Sequence, residues 1–67
     1  MVNEELLYDA ISANGLKLGF IANKLDIDRS TLWRKVKNQT EFTASEISML
    51  SKLLGLNTAD KDRIFFN

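Results

Sequence analysis

At 67 residues the chain has room for one domain around one small core, and its 45% hydrophobic content belongs to a folded sequence, not a disordered one. It has no cysteine and no histidine, which excludes disulfides, thiolate metal sites and the commonest pairs of nucleophile and base. Nine cations balance nine acids, but residues 17–37 hold six of the cations against two acids, while residues 1–16 hold three acids and no cation, and residues 38–67 hold four acids against three cations. A net charge of zero speaks against nucleic acid as a partner; cations gathered in one third of the chain speak for it. No apolar run approaches a membrane span, and the opening "MVNEELLYDA" carries acids where a secretion signal carries lysines, so a cytoplasmic location is expected.

The first element is a helix within "NEELLYDAISANG". Asn3 can cap its first turn, Glu4 and Glu5 suit the positive end, and Asn14-Gly15 supplies a left-handed stop. Leu7, Ala10 and Ile11 form its inward stripe, and Tyr8 is expected half-buried. The spacing of Leu18, Ile21, Ala22 and Leu25 predicts a second helix over about 17–25. Gly19 inside it costs about 1 kcal/mol relative to alanine, either as a tolerated residue or because a DNA strand approaches there. Asp28 can cap a third helix over 29–37, with Leu32 and Val36 inward at i, i+4.

"NQTEF" reads as loop. "TASE" is a capping box, in which Thr43 accepts from the Glu46 amide and the Glu46 side chain reaches back. Ile47, Leu50, Leu53 and Leu54 make the apolar face of a fourth helix that Gly55 ends. A fifth helix is predicted across 59–66, capped by Thr58 or Asn57. Phe65 and Phe66 cannot both be buried easily on so short a helix, so one is expected to cap the core and the other to belong to a dimer contact. With no alternating stretch and no hairpin signal, the fold class is all-α, a bundle of five short helices.

Only "DID" separates helices two and three. A connection that short forces a sharp angle, as in a helix-turn-helix, whose second helix enters the major groove. Ala22 lets the two helices approach, and Ile27 can plug their junction. With Leu32 and Val36 inward, Arg29, Ser30, Trp33, Arg34 and Lys37 fall on the opposite face. Two readings of Trp33 stand at this stage. Its helical angle, one residue past Leu32, places it on the groove face; alternatively it packs into the core against Phe42. Asp28 among these cations reads as a cap, since an acid repels phosphate.

The stretch "LKLGFIANKLDIDRSTLWRKVKNQTEFTASEISMLSKLLGL" resembles the lambda-repressor-like helix-turn-helix family, also called the Cro or xenobiotic-response-element type. With "EFTASEI" and the terminal "DRIFF" it is similar to short regulators carried by phages and prophages of Gram-positive bacteria, and the likeness spans about residues 6–66. It departs from the family at three points. Asp26 stands at the usual turn glycine. Leu18 replaces a glutamine that binds phosphate. Lys17 replaces a capping serine or threonine, and can reach a phosphate instead.

The resemblance implies a DNA-binding transcriptional regulator with helix three as the recognition helix. Its candidate DNA-binding residues are Lys17, Arg29, Ser30, Trp33, Arg34, Lys37 and Asn38. The implied partners are double-stranded DNA and a second copy of the chain on a two-fold site; no cofactor, metal, membrane or small-molecule substrate is expected. The competing reading is a protein-interaction module, such as an antirepressor that binds another regulator. An enzyme is not expected, because no spacing sets a nucleophile beside a base.

Overall fold

In the computed structural model, which describes residues 1–66, five helices succeed one another: α1 (Glu4–Ala13), α2 (Leu18–Lys24), α3 (Arg29–Val36), α4 (Ala44–Leu54) and α5 (Thr58–Phe65). The described residues contain no strand. No helix is long and apolar enough to cross a membrane.

Three helices begin on side-chain caps. Asn3 accepts from the Leu6 amide at 3.0 Å, and Asn57 from the Asp60 amide at 2.8 Å. Asn57 is therefore the cap of α5, and Thr58 its first helical residue. The capping box forms in full: Thr43 Oγ1 accepts from the Glu46 amide at 3.2 Å, and Glu46 Oε1 accepts from the Thr43 amide at 2.9 Å. Asp28 differs from the expectation. It holds the cap position of α3, but its side chain makes no cap hydrogen bond and instead lines a shallow hollow with Asn23, Asp26 and Thr31. What it contributes there is charge at the positive helix end. Lys17 likewise caps α2 by position only.

Four helices end in the same way. Gly15, Asp26, Asn38 and Gly55 all have positive φ, between 58° and 66°. Past each, an amide reaches back to a carbonyl five residues earlier: Leu16 to Ile11, Ile27 to Ala22, Gln39 to Arg34 and Leu56 to Ser51. This double-back closes the last turn and satisfies carbonyls that would otherwise lack partners. Asp26 accepts the left-handed conformation that the turn demands, as its short polar side chain allows.

Each helix gives two residues to the core: Leu7 and Ile11, Ile21 and Ala22, Leu32 and Val36, Leu50 and Leu54, Ile64 and Phe65. The pairs are one turn apart in α1, α3 and α4, and adjacent in α2 and α5. Ala10, Leu18, Leu25, Ile47 and Leu53 pack at the rim, half-buried. Phe65 is buried and meets Phe42 edge-on, with ring centroids 5.8 Å apart, while Phe66 is 61% exposed. The chain start is tied down twice. The Asn3 amide donates to the Ile64 carbonyl at 2.7 Å, and Val2 is gripped by Asn38.

Candidate nucleic-acid interface

The most extensive contact between helices joins α2 and α3, with Ala22 buried where they meet and Ile27 packed against the core from the turn. This arrangement fits a helix-turn-helix. Because Leu32 and Val36 are both fully buried, the roll of α3 about its axis is fixed. The outward side follows from that. Arg29, Ser30, Trp33 and Arg34 are all exposed, and together with Gln39 they line an open hollow of about 570 Å3.

Trp33 is 43% exposed. The core reading, with Trp33 packed on Phe42, is thus corrected: Phe42 is taken by Phe65, and the step from Leu32 to Trp33 turns the indole out of the core. Arg34 reaches Thr31 Oγ1 at 3.4 Å along its own helix, and neither Arg29 nor Arg34 has an acidic partner among the described residues. Two unpaired guanidinium groups thus flank an indole, a combination of planar forked donors and an aromatic surface that suits phosphate and base edges.

Lys35 and Lys37 are instead paired with acids of the chain. Lys35 Nζ lies 2.9 Å from Glu46 Oε1 and donates to the Glu41 carbonyl at 2.9 Å, above the Phe42 ring. It fastens α3 to the start of α4. Burial pushes the Glu46 carboxyl pKa up, but the Thr43 amide and the Lys35 ammonium more than offset this and hold it below its ordinary value. Lys37 Nζ lies 3.3 Å from Glu4 Oε1, with the Tyr8 and Trp33 ring centroids 5.8 and 5.7 Å away. It joins the candidate face to α1 and is still half-exposed.

Asn38 has a different task from the one expected. Its side chain accepts from the Val2 amide at 2.8 Å and donates to the Val2 carbonyl at 2.9 Å, while its backbone makes the left-handed stop of α3. Both hydrogen-bonding ends of the amide are engaged within the chain. We therefore set it among the residues that hold the fold.

Lys17 lies at the entry to α2, exposed, and lines a second hollow with Gly15, Leu16, Gly19, Phe20 and Arg29. Arg29 borders both hollows, so the surface runs from Lys17 to Gln39 without a break. A Cβ on Gly19 would meet no atom within 4 Å, so no internal packing requires glycine there. Phe20 and Gln39 were not anticipated. Phe20 is 46% exposed beneath the Lys24 ammonium, 5.4 Å from its ring centroid. The signal for it was present: like Trp33, it is one residue away from a buried position. Gln39 is brought beside Trp33 by the reversal at Asn38, which gave no such signal.

No protein-family model, no curated protein and no solved structure matches this chain.

Proposed function

We propose that this protein is a sequence-specific double-stranded DNA-binding transcriptional regulator of the lambda-repressor-like helix-turn-helix class, of phage or prophage origin, that reads the major groove with α3. One observation carries the reading: α3 is locked on one side by Leu32 and Val36 and presents Arg29, Ser30, Trp33 and Arg34 on the other. With its side chains an α-helix is about 10–12 Å across, which fits a major groove about 12 Å wide. Arg29 and Trp33, in the first half of the helix, are the base readers, with Trp33 suited to a thymine methyl. Lys17 and Lys37, at the two ends of the surface, meet phosphates. Gly19 leaves space for the sugar-phosphate strand to pass close to α2.

Selection of duplexes from a random pool tests this reading. Recovery of a defined sequence, bound more weakly by Trp33→Ala and with altered preference by Arg29→Ala, is the expected result; a pool that stays random contradicts it.

A second reading, a protein-interaction module such as an antirepressor, draws on the pairing of Lys35 and Lys37 within the chain and on the exposed rings of Trp33 and Phe20. The salt dependence of binding separates the two. Displacement of counterions from DNA gives a log–log slope proportional to the phosphates neutralised, whereas an apolar protein contact gives little slope.

A further inference from the structure

Lys37 occupies an unusual position for a residue assigned to phosphate. It follows Trp33 by one helical turn, so the two share a stripe of α3. In the free protein its ammonium is already matched. Glu4 Oε1 is 3.3 Å away, and the ring centroids of Tyr8 and Trp33 lie 5.8 and 5.7 Å from the ammonium. Glu4 and Tyr8 both come from α1. Neither member of the ion pair is sequestered, the Lys37 and Glu4 side chains being 37% and 41% exposed. A carboxylate at this distance offers the ammonium what a phosphate oxygen would offer it.

We propose that Glu4 is an intramolecular competitor of the DNA backbone. It holds Lys37 beside Tyr8 and Trp33 in the free protein and yields it to a phosphate on binding, so that it sets both the affinity for DNA and the resting position of the Trp33 ring. The inference rests on the DNA-binding reading above and adds a residue, outside the helix-turn-helix, that tunes it. Glu4 is a positioning residue, since it acts through Lys37.

The energetics favour an exchange over a permanent lock. A half-exposed lysine–carboxylate pair stabilises weakly, and salt screens it over a distance of about 10 Å at 0.1 M. A DNA backbone, with one charge per ~1.7 Å of axis, presents a far denser negative field. When Lys37 transfers, its pair with Glu4 has to be broken, and that cost makes binding weaker than it would be without the acid. Such an effect is independent of sequence, because phosphate contacts carry no base information.

The test is a double-mutant cycle on Glu4→Gln and Lys37→Met, measured by anisotropy with a labelled selected duplex and a labelled random duplex. Trp33 emission is recorded in the free proteins. Glu4→Gln is expected to tighten binding of both duplexes roughly two- to fivefold at low salt and to steepen the salt dependence. In a Lys37→Met background the same change should have no effect on binding. Free Glu4→Gln should also shift Trp33 emission, and Glu4→Asp should restore it in part. Equal tightening with and without Lys37 would make Glu4 a source of simple repulsion and overturn the proposal. So would unchanged binding by Glu4→Gln when the wild-type protein binds well. Failure of the wild-type protein to bind any duplex is a different outcome, which removes the DNA-binding reading itself.

Discussion

Leu32 and Trp33 are neighbours in sequence with opposite fates, and the 100° step of the helix between them is the cause. Leu32 is 1% exposed, so Leu32→Ala removes a buried side chain from a core with two residues per helix; the expected loss is roughly 2–5 kcal/mol, read as a lowered melting temperature or outright unfolding. Trp33→Ala truncates a half-exposed ring and should leave melting within about 0.5 kcal/mol of wild type. The pair of measurements checks the roll of α3. If Trp33→Ala proves the more damaging, the helix is turned the other way. Ser51 presents the reverse case, a hydroxyl buried within α4 with no hydrogen-bond partner among the described residues. An unsatisfied buried hydroxyl costs about 1–3 kcal/mol, and alanine is the better helix former. Ser51→Ala should therefore raise the melting temperature by several degrees, as a gain of about 1 kcal/mol shifts a domain of this size by about 4–8 °C.

Helix starts and inward stripes were legible because both are written locally. Asn3, the Thr43–Glu46 box, and the pairs Leu7/Ile11 and Leu32/Val36 each act within one or two turns. What was not legible joins distant elements. Asn38 holds Val2, thirty-six residues away, and Lys35 holds Glu46 across the loop; in the sequence Asn38 sits among cations and looks like part of the binding face, and nothing beside Lys35 points to Glu46. The Lys35–Glu46 connection has a measurable consequence at the level of the α3–α4 joint. The Glu46 carboxyl is held below its ordinary pKa, so the folded state favours its charged form. That stabilisation is present in full above the unfolded carboxylate pKa, about 4.3, and is lost as pH falls through the lower folded value. Glu46→Gln should accordingly melt below wild type at pH 7, and the gap should close in acid, where the wild-type residue is itself neutral. A gap that stays constant with pH would mean that the amide has disrupted packing, not that a charge has been lost. Thr43→Ala removes the other half of the box and should cost about 1 kcal/mol at pH 7.

For the whole molecule, the proposed DNA-binding function raises the question of how much discrimination one copy can provide. Even with Arg34 added to Arg29 as a second forked donor on bases, each good bidentate base contact contributes only roughly 1–3 kcal/mol. One copy thus reaches roughly 2–6 kcal/mol, against the roughly 4–10 kcal/mol that separates specific from non-specific binding in typical regulators. Two copies on a two-fold site cover that range; one falls at its lower edge. The cations point the same way, since Lys35 is paired internally and Lys37 is released only by breaking its pair with Glu4, which leaves Lys17, Lys24, Arg29 and Arg34 as the cations free to supply the field. So few phosphate contacts per copy predict a shallow salt slope for a single half-site. A duplex carrying two half-sites about 10–10.5 base pairs apart, one helical turn, should then bind with roughly twice that slope. Its affinity should exceed that of a single half-site by well over tenfold, and moving the half-sites apart by about five base pairs, to opposite sides of the duplex, should abolish the gain. Anisotropy titrations of the three duplexes at several salt concentrations measure all of this. If the single half-site binds as tightly as the pair and with the same slope, the protein acts on DNA as one copy, and its specificity has to come from contacts beyond α3, with Phe20 and Gln39 the first residues to substitute.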